Sequence, residues 1–167
     1  MQRIRESIKM LKEKRMGFVI DETMTGYHRF ERLATPSEKK FMEFKVSWGP
    51  KNIAAWINPY SSEFMVQPLW GHVTIEGLCH QTPCKGTLEL KYFDEHIIRY
   101  TFEFKVKGKE YVFIGEKVNI QVWNLPVSHT TCFGRLTEKT TGRLVSTSVT
   151  YFKFSTMIKF LSSLRFG

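Results

Sequence analysis

The stretch IIRYTFEFKVKGKEYVFIGEKV, Ile97 to Val118, decides how the rest of this chain is read. In its first arm Ile98, Tyr100, Phe102, Phe104 and Val106 alternate with Arg99, Thr101, Glu103, Lys105 and Lys107. A period of two is the signature of a strand with one face buried. Lys107-Gly108-Lys109 supplies a reversal, because glycine takes positive φ at little steric cost. The return arm, Tyr111 to Val118, is apolar on both parities, as in a strand covered on both sides. The stretch therefore predicts a long antiparallel hairpin near the middle of the chain.

Outward from it, more strands follow. Phe41 to Trp48 alternates and is closed by Gly49-Pro50, and Ile53 to Ile57 reads as a short apolar strand ended by Asn58-Pro59. Phe64 to Leu78 holds one or two strands, Cys79 to Gly86 a loop, and Thr87 to Phe93 a strand leading into the central hairpin. Before all of these, Glu22 to His28 reads as a loop opening a first strand around Tyr27 to Leu33. After the central hairpin, Ser128 to Thr137 and Arg143 to Phe154 form a second long hairpin with Glu138 to Gly142 at its tip.

Helical spacing appears only at the two ends. Arg3 to Met16 places Ile4, Ile8 and Leu11 at i, i+4 and i+7 among basic residues, with Gly17 as the stop. That thin stripe suits an arm packed on the domain; a basic amphipathic helix on a membrane surface is the other reading. Near the C-terminus Ser155 is a cap residue for Met157, Phe160, Leu161 and Leu164.

The expected organisation is a helical arm over 1–17 and a single antiparallel domain over 18–167, with a C-terminal helix over 156–165. So many strands in one domain should curl and close. The expected fold is mainly β: a closed or nearly closed antiparallel barrel, lipocalin-like in architecture, of about eight to ten strands.

The chain has 167 residues, 42% hydrophobic and 14% aromatic, which excludes a disordered polymer. A net charge of +9 is spread along the sequence, densest in Arg3 to Arg15, and does not single out nucleic acid. No apolar run approaches the roughly 20 residues of a spanning helix. No apolar segment of secretory type follows the basic N-terminus. Cys79, Cys84 and Cys132 are an odd count and make no disulfide framework, so a cytoplasmic setting is expected.

No catalytic motif emerges. The nucleophile elbow, the phosphate-binding loop and the dinucleotide fingerprint are all missing. His129 and Cys132 differ by an odd number in a predicted strand and point to opposite faces, which argues against both a Cys–His pair and a zinc site with Cys79, His80 and Cys84. Glu22, Glu76 and Glu89 become a buried acid only if the fold brings one inside. No catalytic residue, metal or cofactor is assigned.

The binding residues expected are the aromatic Trp48, Tyr100, Phe102, Phe104, Trp123 and Tyr151, with a polar edge at His129, Thr130 and Cys132. Such a set lines an apolar pocket or fills a solid core equally well. Ser128, Thr130, Cys132 and Gly134 share one parity, and Ser146, Ser148 and Thr150 share one parity of the partner strand. Small side chains there either leave room inside or face water.

Several pieces, in order, resemble the accessory β-rich segment found in cholesterol-oxidase-like flavoproteins of the glucose–methanol–choline oxidoreductase superfamily. They are Glu22-Thr-Met-Thr-Gly26, Leu69-Trp-Gly-His-Val73 with Glu76-Gly77, and Tyr100-Thr-Phe-Glu-Phe104 with Gly108-Lys-Glu-Tyr111 and Gly115-Glu-Lys117. Thr130-Thr131 ahead of Arg135-Leu136, and Phe160 to Arg165, complete the set. The flavin-binding glycine fingerprint is absent, so no FAD or catalytic residue is carried over. His129 stands where the family tends to have an acidic residue before its paired threonines. The resemblance implies a free-standing relative of a segment from enzymes acting on steroids or similar lipids.

The function expected is a non-enzymatic binding module for an apolar, lipid-like or steroid-like ligand in a barrel interior. The alternatives are an accessory module docking on a separately encoded oxidoreductase, and a small-molecule enzyme of unknown reaction. A weak membrane-surface contact through the basic N-terminal helix completes the expected partners.

Overall fold

The computed structural model describes residues 2–12, 16–31, 37–118, 131–152 and 165–166. Its chain order is α1 (Gln2–Lys12), β1 (Phe18–Phe30), β2 (Lys40–Trp48), α2 (Ile53–Trp56), β3 (Val66–Ile75) and β4 (Cys79–Lys91). Then come β5 (Ile97–Val106), β6 (Lys109–Lys117), β7 (Thr131–Glu138), β8 (Leu144–Tyr151) and β9 (Arg165–Phe166).

Strands β2 to β8 pair each with the next, and β8 pairs with β1. β1 also pairs with β2, from Ile20 opposite Trp48 to His28 opposite Lys40, and that contact closes an eight-stranded antiparallel barrel. From β1 to β8 every connection joins sheet neighbours, so each of these strands is paired on both sides by simple up-and-down succession. The two residues of β9 extend the wall at the start of β1, Phe18 opposite Phe166.

The central hairpin is β5 and β6. Lys107 and Gly108 both have positive φ, 49° and 83°, the tight-turn geometry whose twist matches the strands it joins. β6 is not covered on both faces as its composition suggested. Tyr111, Phe113, Gly115 and Lys117 face inward, while Val112 is half-buried and Ile114 is exposed on the outside. Apolar content on both parities here reflects a partly apolar outer wall.

Three other expectations are corrected. Glu22 to His28 is not a loop but the middle of β1; its inward row, Ile20, Glu22, Met24 and His28, includes two polar residues and so hides the alternation. Cys79 to Gly86 is likewise strand, the first half of β4. Ile53 to Ile57 forms the helical turn α2, because the Asn52 side chain accepts from the amides of Ala54 and Ala55 and caps it. Of the expected C-terminal helix, Arg165 lies in β9 and the rest lies outside the described residues.

The middle of the barrel is filled. Phe44, Phe102 and Phe113 meet at ring separations of 5.5, 5.6 and 4.6 Å, with Phe102 stacked on Phe113. Their room comes from the small residues of β6 to β8. Cys132, Gly134, Ser146, Ser148 and Thr150 all face inward, and the Phe113 ring occupies the space where side chains on Gly115 and Gly134 would be. Beyond this plug, Phe104 stacks on Tyr111 toward the end that carries the 107–108 turn. The opposite end is bounded by the C-termini of β2 and β6 and the N-termini of β1 and β5, and it is not apolar.

Candidate functional site

Inside that second end sits Glu22. On β1 it is inward-facing and only 5% exposed, although nothing about an isolated carboxylate favours such a place. Three elements bring donors to it. From β6, Lys117 Nζ donates to Oε1 at 2.7 Å, and both side chains are 4% exposed. From β5, Tyr100 Oη lies 3.0 and 2.9 Å from the two carboxylate oxygens. From the end of β2, Trp48 Nε1 donates to Oε2 at 3.1 Å.

The carboxylate is saturated, which disqualifies it as a free general base. The Lys117 ammonium has three donors; one goes to Glu22, and among the described residues it also lies against aromatic faces, with Tyr100 at 5.3 Å and Phe152 at 5.8 Å from the ring centres.

The electrostatics follow from burial. Tyr100 is held well above the ordinary phenol range, first by desolvation and then by the Glu22 charge. Tyr92 is pushed up to about 12 for the same two reasons. The Cys132 thiol is also raised to about 12 by burial; the Lys117 charge pulls against this and the Glu22 charge adds to it. These phenols and this thiol are therefore neutral donors at physiological pH, and Cys132 is no nucleophile.

Two further polar atoms at this end are buried without a partner. Gln67 is 1% exposed and shares a lateral row with Leu88 and Tyr100. Its Oε1 accepts from Trp56 Nε1 at 2.7 Å, which fixes the amide and leaves Nε2 as an unpaired donor. Thr150, opposite Cys132 on β8, is fully buried with Oγ1 unpaired.

The residues expected to bind ligand do not form one set. Trp48 and Tyr100 meet at Glu22, and Cys132 borders them. Phe102 belongs to the central plug, and Phe104 lies beyond it against Tyr111. Tyr151 points outward and is 41% exposed. Trp123, His129 and Thr130 lie outside the described residues. Reasoning on sequence missed Lys117 and Gln67, and read Thr150 only as one of a row of small residues. The inward parity of Lys117, six residues after Tyr111 on an alternating strand, was the available signal.

Other features are peripheral. A depression of about 290 Å³ lies over Cys84 and Phe104 between β4 and β5, one of about 370 Å³ lies at Phe18, Pro50 and Trp70, and a groove of about 450 Å³ runs along the outside of β1, β8, β7 and β6. Among the described residues no group of three or more His, Cys, Asp or Glu is arranged to hold a metal ion. No helix among them is long and apolar enough to cross a membrane. Comparison with protein-family models, with curated proteins and with solved structures finds no match to this chain.

Proposed function

We propose that this protein is a non-enzymatic, lipocalin-like binding module for an apolar, lipid-like or steroid-like molecule that carries one neutral hydrogen-bond acceptor, taken at the Trp48 end of the barrel. The observation that carries the reading is the pair of buried donors without acceptors near Glu22, Gln67 Nε2 and Thr150 Oγ1. Each unmade bond at a buried site costs about 1–3 kcal/mol, and native proteins leave few. A ligand hydroxyl or carbonyl would satisfy them. Nor does stability call for the ion pair, since well-packed apolar residues usually do as well in its place.

The net charge of the pair selects the ligand class. Glu22 and Lys117 already neutralise each other, so a carboxylate head would enter as an uncompensated charge. An alcohol or ketone would not. Burying a few hundred Å2 of apolar ligand surface at roughly 25 cal/mol/Å2 gives several kcal/mol before the costs of association, consistent with micromolar affinity.

Titration of the purified protein with a fluorescent sterol, its 3-keto counterpart and a fatty acid of similar length tests this. Saturable one-to-one binding of the first two is expected, at least tenfold tighter than the acid and weakened tenfold or more by Lys117→Met. Absence of saturable binding across the panel, or a preference for the acid, would overturn the proposal.

A further inference from the structure

Lys117 is the one lysine buried among the described residues, and as the last residue of β6 it is turned into the barrel. A buried cation costs several kcal/mol in desolvation even when it is paired. For holding Glu22 alone an arginine would serve at least as well, because its planar fork meets a carboxylate with two bonds. What an amine has and a guanidinium lacks is a nucleophilic lone pair that a single proton transfer uncovers.

Glu22 is closed to other groups but not to Lys117. The 2.7 Å contact from Nζ to Oε1 is itself the path along which the ammonium hands over a proton. Tyr100 and Trp48 hold the carboxylate in place during the transfer. The rings of Tyr100 and Phe152 border the nitrogen and keep out water that would hydrolyse a carbon–nitrogen double bond formed there.

We propose that Lys117 captures an aldehyde-bearing, lipid-like molecule as an imine, with Glu22 as proton relay and counter-ion. This rests on the Trp48 end of the barrel being a ligand site, and narrows the ligand's acceptor to a reactive carbonyl. The ammonium gives one proton to Glu22. The freed amine attacks the carbonyl carbon, and a nitrogen proton passes to the carbonyl oxygen, giving a carbinolamine. Glu22 returns its proton to that hydroxyl, which leaves as water while the nitrogen lone pair forms the C=N bond. Nothing is oxidised or reduced. An ammonium facing a carboxylate becomes an iminium facing the same carboxylate, so the desolvated site holds no uncompensated charge before or after. Gln67 Nε2 and Thr150 Oγ1 are the unpaired donors available to the carbonyl oxygen as charge develops on it.

Incubation of the full chain with all-trans-retinal, and with retinol as the alcohol that cannot react, tests it. Adducts are reduced with cyanoborohydride and mapped by mass spectrometry. A single retinyl group per chain is expected, at Lys117, in at least tenfold excess over any other lysine. Before reduction the bound retinal should absorb at longer wavelength than the free aldehyde, the signature of a protonated imine, and Glu22→Gln should lose that shift. Lys117→Arg keeps a cation beside Glu22 and should lose the adduct; should that variant fail to fold, Glu22→Gln with Lys117→Met removes both charges and should lose it too. Saturable binding of retinol without a retinal adduct at Lys117 would overturn the capture and leave the binding reading standing, whereas absence of both would overturn the two together. Labelling spread evenly over the surface lysines, or undiminished in the Lys117 variants, would also overturn the proposal.

Discussion

Replacing Lys117 by Met tests the reading of the barrel interior most directly. The substitution keeps the length of the side chain and removes its charge, so among the described residues Glu22 retains the neutral donors Tyr100 and Trp48. With both partners 4% exposed and 2.7 Å apart, solvent screens the pair little. Leaving one member of such a pair uncompensated costs about 3–5 kcal/mol. Against a total stability of about 5–15 kcal/mol that is a large share, and at about 2–4 °C per kcal/mol for a domain of this size it lowers Tm by about 6–20 °C. Glu22→Gln with Lys117→Met removes both charges and should return to within about 2 kcal/mol of the parent, a coupling of at least ~1 kcal/mol that a double-mutant cycle resolves. Urea unfolding followed by circular dichroism gives all four values. A loss below about 1 kcal/mol for Lys117→Met, or strict additivity in the double variant, would show that water reaches the pair and would remove the argument for a desolvated site.

Gly134→Ala should destabilise by about 1–3 kcal/mol in the same assay, because the new methyl enters space held by Phe113 and Ser148. His28 is fully buried, with Nε2 at 2.9 Å from the Glu76 carbonyl, and desolvation holds its pKa below the ordinary 6.5. The unfolded chain therefore takes up the proton first, and stability should fall as pH drops below about 6.5 toward the lower folded value; His28→Gln should flatten that part of a pH-dependent melting series. Alkylation at pH 8 followed by mass spectrometry should leave Cys84 and Cys132, both pushed up to about 12 by burial, unmodified in the folded protein and label them in denaturant.

What could be read in advance was whatever obeys binary pattern. β5 alternates cleanly, Lys107-Gly108 announces its turn, and a meander with few helices leads to a barrel. β1 was obscured because two of its inward positions, Glu22 and His28, are polar for reasons that lie on other strands. Lys117 is 95 residues from Glu22, so neither residue advertises the other until the topology sets their strands across one interior. α2 was obscured by brevity, four apolar residues fitting either period, with Asn52 as the one cue to a capped helical turn. The small residues of β7 and β8 could have left room inside or faced water; they face inward and Phe113 takes the space, which only cross-strand register shows.

Closure through β1 has a consequence for biogenesis. Thr25 on β1 pairs with Tyr151 on β8, so one flank of β1 waits for a partner synthesised more than a hundred residues later. Until then the nascent sheet carries two unsatisfied backbone rims, each able to recruit a neighbouring polypeptide. Translation halted between β7 and β8 should therefore release a self-associating fragment and not a smaller soluble barrel.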